Sequence, residues 1–199
     1  MGDLPGHEFH GNQWTAGGGA RELPGIEAMS NAPWAQENVR RAVEAAGVSP
    51  NVRVVVDRWE PDTQLAAYRP DTGELAVNSG ATHWYSTDLA AAQAELRAQG
   101  IASSDRPEAP IVHELGHMLH HEAVRDLPEW NYRGFTYAAP STLGGPRVKA
   151  MVAHEVSQYA AASNDPREFV AEVFAGVRGG RTYPSEVMKL YKEFHGPRA

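Results

Sequence analysis

The feature that most constrains this chain is the run His113-Glu114-Leu115-Gly116-His117, set inside an apolar helical pattern. Residues four apart on a helix share a face. His113 and His117 therefore lie side by side, and both can offer a ring nitrogen to one cation. Glu114 sits about 100° round the helix, beside that cation rather than on it. Ile111, Leu115, Met118 and Leu119 recur at helical spacing and Val112 widens the stripe, so this side of the helix is expected to be buried. Buried histidines need partners, which favours two metal ligands over a solvated polar face. Zinc accepts neutral imidazole in four-coordinate geometry. Glu114 is then placed to take a proton from metal-activated water. Gly116 is unfavourable by about 1 kcal/mol against alanine in a helix interior; a close neighbour at that point would account for it.

A zinc site needs a third protein ligand. The metzincin pattern places a glycine at 120 and a histidine at 123, where this chain has His120 and Ala123, so that arrangement is excluded. His121 is a further step of four along the helix but about 80° round from His113. A straight helix cannot bring all three to one ion, and His120 and His121 read as surface residues or as outer supports of the site. The better candidates lie in Asp165-Pro-Arg-Glu-Phe-Val-Ala-Glu-Val-Phe-Ala175. Glu168 and Glu172 share a helix face beside an apolar stripe of Phe169, Val170, Val173, Phe174 and Val177. Carboxylates in such a place require a cation or donors. Glu168 has a second possible role, since Asp165-x-x-Glu168 with Pro166 is also a helix-capping box. Glu172 has no capping explanation, which favours Glu168 as metal ligand and Glu172 as the carboxylate that orients a ligand histidine. Tyr159 has two readings: a donor to a tetrahedral oxyanion, or one member of a core stripe with Val148, Met151, Val152 and Val156. His154 and Glu155 read as surface residues.

The remaining sequence bounds the architecture. A chain of 199 residues, 42% apolar, supports one hydrophobic core and too little for two comfortable domains. It has no cysteine, which removes disulfides, zinc ribbons and thiol nucleophiles. A net charge of −7 argues against nucleic acid as a partner. No apolar run approaches the roughly 18 residues of a membrane span, and the N-terminal stretch lacks the basic and apolar regions of a secretory signal. A cytoplasmic or virion-associated protein is the expectation.

Residues 1–29 hold seven glycines and read as a flexible tail. Within it, His7-Glu-Phe-His-Gly-Asn-Gln-Trp14 carries two aromatics, suited to docking the arm or to binding a partner. Residues 30–199 read as one α+β domain. A capped helix starts near Ser30, and a β-branched strand spans 52–59. Strands at 65–68 and 74–78 flank the turn Pro70-Asp71-Thr72-Gly73 as a hairpin. Helices follow at about 87–99, 107–123, 146–162, 166–178 and 184–194.

The HExxH run, with Ser157, Tyr159-Ala160, Asn164, Glu168-Phe169-Val170-Ala171-Glu172 and Phe174-Ala175, resembles the zincin metallopeptidases of gluzincin type. It is most similar to the catalytic domain of anthrax lethal factor and to related phage and bacterial peptidases. The resemblance implies a zincin-like fold: a small twisted sheet, an active-site HExxH helix and a helical C-terminal half. It implies one Zn2+ per chain held by His113, His117 and Glu168, with Glu114 as general base and Tyr159 as transition-state donor. The interval from Tyr159 to Glu168 is longer here than is usual in such relatives, so the structure must decide Tyr159. The tail motif is similar to segments of tailed-phage structural proteins. Zinc-dependent peptide-bond hydrolysis on a peptide or protein substrate is the expected function. Its rivals are a non-catalytic zinc-binding module of a phage particle, partnered through the tail, and an interaction protein without metal.

Overall fold

The computed structural model describes residues 21–127, 130 and 142–199. The tail segment His7–Trp14 and the partnership expected of it lie outside the described residues.

Helix α1 (Pro33–Ala45) opens with proline in its first turn, where the missing N–H is no loss. It buries Ala35, Val39, Ala42 and Val43, while Trp34 stays half exposed and donates its indole N–H to the Tyr85 carbonyl. Strand β1 (Val54–Asp57) follows, then the hairpin β2 (Ala66–Arg69) and β3 (Glu74–Asn78). Gly73 closes that hairpin at φ +69°, a left-handed conformation that side chains disfavour, and its N–H reaches the Arg69 carbonyl. The sheet order is β1-β3-β2, with β1 parallel and β2 antiparallel to β3. Central strand β3 is buried throughout, as a strand covered on both faces must be. Strand β2 is left at an edge.

Six helices complete the order: α2 (Leu89–Ala98), α3 (Ala109–Val124), α4 (Pro146–Glu155), α5 (Gln158–Ser163), α6 (Pro166–Arg178) and α7 (Ser185–Glu193). The chain is α+β, with a small sheet early and helices late. One core cluster joins α1, the sheet and the apolar side of α3; a second joins α4 to α7. Helix α6 contributes to both, with Phe174 and Ala175 in the first and Phe169, Val170 and Val173 in the second, and its packing on α3 is the most extensive between any helices described.

Several expectations change. The folded part does not begin at Ser30: Leu23, Ile26 and Met29 are buried in the first cluster, so residues 23–29 belong to the domain rather than to a tail. Helix α2 starts at Leu89 rather than near 87, capped by Asp88, which accepts the Ala91 N–H. The helix expected over 146–162 is two helices. The backbone breaks at Val156 (φ −114°, ψ −83°), and the Ser157 hydroxyl accepts the Ala160 N–H to start α5. That break turns Tyr159 out of the core stripe: Val152 and Val156 are buried, and Tyr159 is 46% exposed. His154 is exposed, as expected.

His120 is not a surface residue. It is fully buried, edge-on to Trp130, with Nε2 2.8 Å from the Phe194 carbonyl. Burial, then the neighbouring His117, push its pKa down to about 3. The neutral ring thus donates to Phe194 and ties α3 to the chain after α7.

The glycine in the HExxH run has its close neighbour. A Cβ at Gly116 would lie 3.1 Å from Ala171 Cα and 3.2 Å from Phe174 Cδ1, both on α6. On an open helix, Gly→Ala stabilises by about 1 kcal/mol. Here overpacking against backbone and a buried ring works the other way, by about 1–3 kcal/mol. Gly116→Ala should lower the urea midpoint of unfolding; a raised midpoint would show that α3 and α6 do not meet so closely.

Candidate metal centre

The site is built where α3 crosses α6. His113 and His117 project from one face of α3, and both are buried. Glu168 and Glu172 project from the facing side of α6. Ser103 fastens the segment before α3 to that helix by donating its hydroxyl to the Glu172 carbonyl at 2.7 Å.

Three donor atoms converge. His113 Nε2 is 3.1 Å from His117 Nε2, and Glu168 Oε2 is 3.1 Å from the first and 3.3 Å from the second. A tetrahedral ion with bonds of about 2.0–2.1 Å sets its ligands about 3.3 Å apart. The triangle therefore has the size of a zinc face. On its far side, His113 Nδ1 lies 2.8 Å from Glu172 Oε1. An ionised carboxylate only accepts, so Nδ1 carries a proton, and a metal ion in the triangle would take the place of the second proton and meet the Nε2 lone pair.

Two nitrogens and an anionic oxygen facing one another demand positive charge between them, either a proton or a metal ion. The titration behaviour follows. Burial acts to lower the pKa of His113, but hydrogen bonds with Glu168 and Glu172 outweigh it and raise it well above the usual histidine value. Burial acts to raise that of Glu168, but the charge of His117 and hydrogen bonds from His113 and His117 hold it well below the usual carboxylate range.

Glu168 does not close a capping box. Asp165 caps α6 through the Arg167 N–H at 2.9 Å, and the Glu168 carboxylate turns to the histidines instead. Glu114 also belongs to the cluster, with one donor atom each of His113, Glu114 and His117 within 4.8 Å of one another. Its place is beside the triangle rather than in it: Glu114 Oε2 accepts the backbone N–H of Tyr68 on edge strand β2 at 2.7 Å. The three-atom set with Glu168 is the tighter one and the one with ligand spacing.

Tyr159 stands over the site from the start of α5, its ring 6.0 Å from that of His113. Although the residue is half exposed, its hydroxyl end is enclosed. Burial there, then the charge of Glu168 and a hydrogen bond with it, raise the phenol pKa. His121 lies outside the triangle, with Nδ1 2.8 Å from the Tyr68 hydroxyl. Tyr68 thus engages α3 at two points, by backbone and by ring. Sequence reasoning missed it, since an edge-strand N–H carries no side-chain signature; the hairpin register was the available signal.

His113, Glu114, His117, Tyr159, Glu168 and Glu172 open on one cavity of about 950 Å3, bounded by α2, β2, α3 and α6. Compared with protein-family models, curated proteins and solved structures, the chain matches none.

The two carboxylates of α6 should separate in a metal titration. Glu168→Ala removes a triangle vertex and should abolish most of the affinity for added Zn2+. Glu172→Ala removes only the support of His113 and should weaken binding by about 10–100-fold. Calorimetric titration of the metal-free proteins decides; the reverse ranking would mean that Glu172 is the ligand.

Proposed function

We propose that this chain is a zinc-dependent peptidase of zincin-like fold, hydrolysing peptide bonds with Glu114 as general base. The observation that carries the reading is the triangle of His113 Nε2, His117 Nε2 and Glu168 Oε2, with separations of 3.1–3.3 Å. Two imidazoles and one carboxylate are a hydrolytic zinc set; magnesium and calcium prefer oxygen ligands throughout. A short edge strand running past an HExxH helix also supports the zincin-like assignment, as does Glu172 behind a ligand histidine.

Bound there, zinc would supply Lewis acidity, polarising a peptide carbonyl and making water acidic at neutral pH. The protein supplies the rest. His113, His117 and Glu168 hold the ion, and Glu172 fixes the tautomer of His113. The Tyr68 N–H holds Glu114 Oε2, which leaves Oε1 to take the proton of the attacking water and pass it to the leaving amine. Tyr159, kept protonated by its raised pKa, can donate to the oxygen on which charge develops. The cavity has room for a peptide segment on both sides of the scissile bond.

Glu114→Gln separates base from ligand. The variant should fold and retain zinc, since glutamine has similar volume and helix propensity. Its cleavage of an unbiased peptide library should fall by about 10²–10⁴-fold. Zinc loss would make Glu114 a ligand, and cleavage equal to wild type would place the base elsewhere.

A further inference from the structure

Among the described residues, five buried side-chain polar atoms have no hydrogen-bond partner, and three of them belong to residues that line the cavity of the metal centre: His83 Nε2, Gln93 Oε1 and Glu172 Oε2. Such orphans are rare in folded proteins, because each forfeits its hydration without compensation. Their concentration around one cavity points to a ligand.

Two of the three have a fixed chemical character. Gln93 is 1% exposed on the inner side of α2, and its Nε2 donates to the Ser104 carbonyl at 2.9 Å. That bond sets the amide orientation and leaves Oε1 as a bare acceptor. Glu172 spends Oε1 on His113, which leaves Oε2 as an anionic acceptor. The cavity lining includes the apolar Ala92, Leu96, Ile101 and Ala102, while Ser103 and Ser104 beside them are already bonded to the Glu172 carbonyl and the Gln93 amide. Ile101 is 43% exposed although it is a large aliphatic residue.

An apolar passage with acceptors, one of them charged, suits a side chain with a methylene stem and a donor-rich cationic head. We propose that this part of the cleft is a recess for a lysine or arginine side chain adjoining the bond to be cleaved, with Gln93 as its specificity-determining residue. The proposal rests on the peptidase reading above. The stem packs on Leu96 and Ala102, and the head reaches Gln93 Oε1 and Glu172 Oε2. The chain's net charge of −7 favours approach of basic peptides.

The test reads binding rather than turnover. Amino-acid hydroxamates carrying a lysine, glutamine, leucine or aspartate side chain are titrated calorimetrically into the zinc-loaded full chain. The lysine compound should bind about 10–100-fold more tightly than the leucine one, as a charge-assisted hydrogen bond allows. Gln93→Met should reduce that ratio to near one at unchanged zinc content. If the methionine variant does not fold, the ratio of lysine to leucine binding in the unaltered chain carries the test. Leucine binding as tightly as lysine overturns the recess alone, as does a lysine preference that survives Gln93→Met. Failure of all four compounds to bind the zinc-loaded protein overturns the peptidase reading and the recess with it.

Discussion

The close approach of α3 and α6 sets the geometry on which the candidate site depends. Gly116 lets the backbone of α3 come within van der Waals reach of Ala171 and Phe174. At that separation the side chains flanking the contact meet across it: His113 and His117 from one helix, Glu168 and Glu172 from the other. A Cβ at 116 would crowd Ala171 and Phe174 at 3.1–3.2 Å, and a larger side chain there would part the helices that hold the hydrogen bonds of 2.8–3.1 Å. Helix α6 also contributes to both apolar clusters, so the site and the fold share one support.

The electrostatics of the site follow from that enclosure. Four ionisable groups, His113, His117, Glu168 and Glu172, are packed together and largely withdrawn from solvent, and each is tolerable only because the others compensate it. Glu172 fixes the proton of His113 on Nδ1, which turns Nε2 toward His117 and Glu168. The resulting triangle has a deficit of positive charge. Glu114 is separated from it by its bond to edge strand β2, so its carboxylate stays beside the triangle without being one of its vertices.

The local parts of this arrangement are legible in the sequence. The spacing of His113 and His117 and the apolar stripe beneath them specify a buried helix face that carries two imidazoles side by side. Glu168 and Glu172 stand out because two carboxylates one turn apart border large apolar residues. Ser157 is a capping residue within 146–162, but the apolar spacing runs on through Val156 and conceals the helix break there. Nonlocal parts have no such mark. His120 is buried by a segment more than 70 residues away. The tie from Tyr68 to Glu114 is a backbone bond, open to any residue at that position. Leu23, Ile26 and Met29 join the core from a glycine-rich stretch, where their spacing of three is masked by the composition around them.

The central claim is that two imidazoles and one α6 carboxylate bind a single tetrahedral ion. Zinc K-edge X-ray absorption on the reconstituted protein addresses it most directly. Four light-atom ligands at about 2.0–2.1 Å, with outer-shell scattering from two imidazole rings, are predicted. A third imidazole, which would bring His121 or another histidine to the metal, would contradict the account; so would a six-coordinate shell of oxygen atoms.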